Sequence, residues 1–207
     1  MNNILIDKLN KIKTDRPPVW FMRQAGRILP SYKKLKLKYT FDELMKNSDL
    51  ASTVSLLPVK DLGVDAIILF SDILVIPDAL GLNLEFTNKG PIFHNPLKID
   101  NPNKQLIFDN TRLDYIYKNI TEIKKKKQDL PLIGFCGGPL TTFCFMFRGD
   151  VSDKSFHQAI KFLYKYPKQS HKILDLITEA SELYVKQQIS HGIDCFQLFE
   201  TYCGLVP

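Results

Sequence analysis

A parallel β/α architecture of the (β/α)₈ barrel type is the fold class that three observations predict for this 207-residue sequence. Short apolar, strand-like runs at 19–22, 66–70, 132–136 and 195–199 alternate with helical patterns. A chemically expressive residue follows each run: Arg23 the first, Ser71 and Asp72 the second, Gly137 and Gly138 the third, Glu200 and Thr201 the fourth. Barrels of this kind build their active sites at the carboxyl ends of their strands. An open doubly wound sheet gives the same local pattern. Against it, no Gly-x-Gly-x-x-Gly follows any run, so a dinucleotide site lacks its usual phosphate loop.

Taken in order, residues 1–18 have a short amphipathic look, without the long apolar core of a secretion signal or an arginine-rich transit composition. A cytoplasmic location is the default expectation. The run at 19–22 breaks abruptly into Arg23 and Arg27. A helix is expected from Asn47 or Ser48, either of which can cap it, to Gly63, with Pro58 bending it or ending its regular bonding. The second run, Ala66 to Phe70, ends in Ser71 and Asp72. Lys124 to Lys127 follow a helical stretch and read as a solvated face. Phe156, Ile160 and Leu163 form the stripe of a helix around 155–166. The clearest helix carries Ile173, Leu176, Ile177, Ala180, Leu183 and Tyr184 at three- and four-residue steps, with Pro167 near its start and Gly192 just past its finish.

Composition bounds the function. Hydrophobic residues make up 44% and charged residues 24%, ordinary for a globular domain. Asp61, Asp65 and Asp72 interrupt the most hydrophobic region, so no apolar run approaches the roughly 20 residues of a membrane span. The net charge of +6 and pI near 9.0 come from scattered lysines, which argues against a nucleic-acid surface and suits a polyanionic substrate. Cys136, Cys144, Cys195 and Cys203 form no Cys-x-x-Cys pair and are expected to be reduced and buried. His94, His157, His171 and His191 show no metal-ligand spacing, and no metal site is expected. With no internal repeat or linker, residues 1–207 are expected to be one domain, or part of one.

Two features point to chemistry. Arg23 and Arg27 are four residues apart, with Gly26 between them allowing close backbone approach, and form either a fork for a substrate with several carboxylates or a solvated pair. Asp72, an acid at the end of an apolar run, is either a buried functional carboxylate or the cap of the next turn.

Four blocks in order, Val19–Tyr32, Asp65–Gly81, Leu132–Thr141 and Gln197–Gly204, resemble the uroporphyrinogen decarboxylase family. The resemblance implies a cofactor-free decarboxylation of acetate side chains, from uroporphyrinogen III to coproporphyrinogen III, in haem biosynthesis. It implies Arg23, Arg27 and Asp72 as catalytic residues, with Gln24, Ala25, Gly26, Thr201 and the position of Phe145 also contacting the substrate. A homodimer is suggested by the same resemblance. Corrinoid or thiol methyltransferases of the broader superfamily need His and Cys metal ligands at a spacing this chain does not offer.

The chain also departs from the family. Phe145 stands where the family has a substrate-contacting tyrosine, a loss of about 1.5–3 kcal/mol if that bond is to a charged group. Ile28 and Leu140 replace a tyrosine and a tryptophan and read as packing changes. A complete barrel takes roughly 250 residues, so the expectation is an incomplete barrel covering about the first three-fifths of a family member, without the family's substrate-contacting histidine. A complementary C-terminal half on a second polypeptide, or a non-catalytic remnant, is the alternative reading.

Overall fold

The computed structural model describes residues 3–21, 28–87, 90–127, 129–148 and 155–205. Helices α1 (Ile4–Leu9), α2 (Pro30–Lys36), α3 (Phe41–Lys46) and α4 (Ser48–Leu62) lead into strand β1 (Ile67–Ile68). A helical turn, α5 (Val75–Pro77), passes into a wider turn over Asp78–Leu82 that breaks at Gly81, φ 91°. The hairpin strands β2 (Leu84–Thr87) and β3 (Gly90–Phe93) come next, followed by α6 (Asp114–Lys126) and β4 (Leu132–Gly137). The chain continues through α7 (Pro139–Met146), α8 (His157–Lys165), α9 (Pro167–His191) and β5 (Cys195–Phe199).

The predicted α/β class is what the chain adopts. β1, β4 and β5 form one sheet in that order, with β1 parallel to β4 in the register Ile67–Leu132 and Ile68–Ile133. β5 runs the same way as β4, because Asp194 N–H bonds to the Leu132 carbonyl near their starts (2.8 Å) and Gly138 N–H to the Phe199 carbonyl near their ends (2.9 Å). The hairpin β2–β3 is antiparallel and was not anticipated.

The expected first strand differs. Over its described residues, 19–21, the chain is irregular. Pro17 and Pro18 supply no N–H just before it, and the Val19 N–H is taken by the Asp65 carboxylate at 2.7 Å. Val19 still accepts from the Asp65 N–H at 3.0 Å, so this stretch lies beside the start of the second run. β1 is shorter than the run that predicts it because the Phe70 N–H turns to Ser55 Oγ (2.9 Å).

The chain folds as two compact units. The first holds Met1–Ser71, Asp114–Phe135 and Lys186–Gln197, with Leu44, Ala51, Val54, Ile67, Ile116, Ile120 and Leu132 in its core. α4 is punctuated as predicted: Asn47 Oδ1 accepts the N–H groups of Asp49 and Leu50 (both 3.1 Å), and Gly63, φ 64°, closes the other end. The helix runs on past Pro58, which is buried and interrupts the regular bonding at one point, since it cannot return a hydrogen bond to Val54. The lysine run is largely exposed, as expected, and three of its members are ion-paired. Lys125 meets Glu122 (3.0 Å), Lys126 meets Asp49 (2.9 Å), and Lys127 meets Asp194 (2.6 Å).

The second unit holds Asp72–Leu113, Cys136–Val185 and Leu198–Pro207, packed around Leu74, Leu80, Leu113, Phe143, Met146 and Phe162. α8 starts two residues later than expected, after Phe156 at φ 52°. α9 ends as predicted, with Gly192 at φ 102°.

β4 is buried at every position. Gln188 serves it by an unusual bond pair: its Oε1 accepts the Phe135 N–H (3.1 Å) and its Nε2 donates to the Phe135 carbonyl (3.0 Å). A side chain at Gly134 would collide with that amide and with Ile193. Gln188→Leu removes both bonds inside an apolar environment. It is expected to lower stability by about 2–4 kcal/mol in a urea unfolding experiment, and a loss below about 0.5 kcal/mol is incompatible with this bonding role.

Candidate active site

Asp72 follows β1 by four residues, and the reason it can be a functional carboxylate is the company it lacks. The group is half-buried, and its one hydrogen bond among the described residues is from the Leu74 N–H to Oδ1 (2.8 Å). Desolvation pushes the carboxyl up to about 6, against the opposite pull of that N–H. Asp72 thus caps a turn, as one of the two sequence readings has it, and the same side chain is a perturbed acid. Ser71 Oγ, one residue earlier, is buried with no partner among the described residues. Such a donor is the kind of group a ligand can satisfy.

A second carboxylate shows how α7 is begun. Gly138 stands at its N-cap and offers no side-chain acceptor, and Pro139 has no N–H, so the open donors belong to the next residues. Glu200 supplies the acceptor. Its carboxylate takes the N–H of Leu140 (3.0 Å) and of Thr141 (2.8 Å), together with the Thr141 hydroxyl. The Thr141 oxygen in turn accepts the Tyr202 N–H at 3.0 Å. Glu200 is therefore engaged at a helix start and is not poised as an acid/base partner. The clue in the sequence is the Gly-Pro start of α7, which requires an acceptor from elsewhere.

Thr201 lies between these two anchored residues and is exposed. Phe145 lies nearby in the same unit as part of an aromatic triangle, with its ring centroid 5.1 Å from Phe156 and 5.9 Å from Tyr202. Phe156 and Tyr202 close the triangle at 4.6 Å, and the Arg148 guanidinium lies 5.6 Å from the Phe145 centroid. Phe145 contributes surface and a π face, with no donor of its own.

In the other unit, Arg16 forks onto Asp65 with two bonds of 2.6 Å. Asp65 is 1% exposed, and a further bond to its carboxylate comes from the Val19 N–H. This buried acid was read in the sequence only as an interruption of the apolar run. Its need for a partner is the signal that could have led to Arg16. Arg23, Gln24, Ala25, Gly26 and Arg27 fall outside the described residues.

Buried thiols contribute little reactivity. Burial pushes Cys136 up to about 12 and Cys144 up to about 11. All four cysteines are free, but the expectation of general burial fails for Cys195, which is half-buried, and for Cys203, which is exposed in the final 3₁₀ turn. Among the described residues no group of three or more His, Cys, Asp or Glu could hold a metal ion, and no helix is long and apolar enough to cross a membrane.

The raised Asp72 carboxyl has a thermodynamic sign. Its folded-state pKa exceeds the unfolded value of 3.8, so its favourable contribution is complete below that value and is lost as pH rises through about 6. Asp72→Asn, which keeps an oxygen for the Leu74 N–H, should therefore melt above the unsubstituted chain at pH 7. The gap should close by pH 4. A variant that melts lower at pH 7 contradicts the burial of charge described here.

Comparison with known proteins adds the following. The sequence profile described as uroporphyrinogen decarboxylase (URO-D) matches residues 1–207. A uroporphyrinogen decarboxylase of Christiangramia forsetii is 40% identical over 99% of this chain and 61% of its own length. That of Campylobacter hominis is 45% identical over 97% of the chain and 60% of its own, and that of Aquifex aeolicus 39% identical over 97% and 59%. The chain thus spans about three-fifths of the length of these curated relatives. Among solved structures, a methyltransferase from Methanosarcina mazei superposes with a TM-score of 0.71 at 20% identity, over 93% of this chain and 56% of the other. At that identity the likeness is one of fold.

Proposed function

Because the chain belongs to the uroporphyrinogen decarboxylase family, we propose that it provides the arginine, aspartate and threonine groups of a uroporphyrinogen decarboxylase, a carboxy-lyase acting on a reduced tetrapyrrole polycarboxylate. The observation that carries this reading is Asp72, a half-buried carboxyl with one hydrogen bond, in a chain whose whole length matches the family. Arg23 and Arg27 hold acetate or propionate groups as charge-assisted hydrogen-bond donors. Gln24 and the backbone at Ala25 and Gly26 complete that segment. The Thr201 hydroxyl donates to a carboxylate.

The chemistry follows from the ring. A proton added to a pyrrole carbon makes the ring cationic, and the electron pair of the bond between the acetate methylene and its carboxylate flows into it as carbon dioxide leaves. A second proton then converts the methylene to methyl, and the ring returns the first. Asp72, ionised above about pH 6, accepts the pyrrole N–H groups and stabilises the cation. The protonated pyrrole is itself the electron sink, and the reading requires no cofactor. Phe145 supplies no hydroxyl to the substrate.

The activity of the whole relatives is proposed for this sequence together with the further length those relatives possess, whether continuous with it or supplied as a complementary C-terminal half. A homodimer is the other proposed assembly. Four free cysteines, one of them exposed, suit a reducing compartment, and the cytoplasm is the proposed location.

The test is conversion of uroporphyrinogen to coproporphyrinogen, followed by chromatography under reducing conditions in the assembled enzyme. Asp72→Ala should lower kcat by about 10²-fold or more, and unsubstituted activity should fall as pH drops through about 6, where the carboxylate is protonated. Normal turnover by Asp72→Ala removes the basis of the reading. Phe145→Tyr should raise kcat/KM by about tenfold by restoring a donor, and an unchanged value means that this position no longer meets the substrate.

A further inference from the structure

We propose that Glu200 is a positioning residue that fixes Thr201 for substrate contact, an inference that rests on the reading of Thr201 given above. Three residues flanking Thr201 are tied to the start of α7 or to the end of β4: Phe199 through its carbonyl to Gly138 N–H (2.9 Å), Glu200 through its carboxylate to Leu140 and Thr141, and Tyr202 through its N–H to Thr141 Oγ1 (3.0 Å). Thr201 is the one residue inside this clamp whose side chain is exposed.

The clamp is tight on both sides. Gly138 is required because any Cβ there would run into the Glu200 side chain, so the close approach is built into both segments. Thr141 is fully buried, and its hydroxyl relays the Glu200 carboxylate to the backbone of Tyr202. The peptide unit after Thr201 is held through the Tyr202 N–H and the one before Glu200 through the Phe199 carbonyl, which restricts the backbone on either side of Thr201. A carboxylate suits this task because it accepts several bonds at once and complements the positive end of the α7 dipole.

Coproporphyrin, a stable tetracarboxylate, serves as the probe in a fluorescence titration of the full chain and of Glu200→Gln, Thr201→Val and the double variant. Amide relaxation at Thr201 is recorded on each folded protein. Thr201→Val should weaken binding about tenfold. Glu200→Gln, in which an amide NH₂ replaces one acceptor oxygen, should weaken it by a similar factor while the order parameter at Thr201 falls from about 0.85 toward 0.6. The double variant should then bind no more weakly than Glu200→Gln, because the two residues act through one contact.

Losses that multiply in the double variant, or wild-type binding by Glu200→Gln, overturn the inference while leaving Thr201 as a contact. Wild-type binding by Thr201→Val overturns that contact, and the inference falls with it. Should Glu200→Gln fail to fold, Thr141→Val removes only the relay and leaves the backbone donors on Glu200. It must then weaken binding at least twofold, and the double variant with Thr201→Val must bind no more weakly than Thr201→Val alone; unchanged affinity or a multiplied loss again overturns the proposal.

Discussion

A parallel strand with no exposed residue governs much of this architecture. β4 must satisfy every backbone polar group without water, and the chain solves this locally with side chains where the ladder does not serve. Gln188 takes both groups of Phe135, and Gly134 makes the room that this requires. At the strand's far end, Gly137 and Gly138 turn the chain into α7, whose first donors have no cap of their own and are met by Glu200. The same demand for satisfied donors thus shapes the core and the loop that carries Thr201.

Charges follow a related rule. Asp65 is almost fully buried and has three short hydrogen bonds, two of them from Arg16. Glu200 has its bonds to α7, and the lysine run is matched with Glu122, Asp49 and Asp194. Asp72 differs from these, with one backbone donor among the described residues for a half-buried carboxyl and a pKa raised to about 6. A half-buried carboxyl with so few donors is a candidate for meeting a ligand. Its environment disfavours the ionised form, and the pyrrole N–H groups of the proposed substrate are donors that would relieve that cost.

Much of this was legible in the sequence where the signal is local. Asn47, Gly63, Pro167 and Gly192 mark helix ends by their own backbone chemistry, and three of the four apolar runs contain strands. The run at 19–22 misled because the donor of Val19 is claimed by Asp65, a residue far along the chain. Pro58 remains in its helix because burial of the ring outweighs one missing hydrogen bond. The position of Asp72 was readable, but its perturbed acidity was not, since that depends on desolvation by the fold. Glu200 is marked in the sequence only by its place after the fourth apolar run, whereas its capping role emerges when β5 ends beside α7. The arginine segment is carried by its residue pattern and the family match.

The proposed chemistry turns on Asp72, a carboxyl raised to about 6 by desolvation and ionised above that pH, as a cationic ring requires. Carbon-13 NMR titration of the side-chain carboxyls, with Asp72→Asn to assign the resonance, measures this directly. The account predicts a midpoint at about 6 for Asp72. A midpoint at or below about 4, in the ordinary range for aspartate, contradicts it.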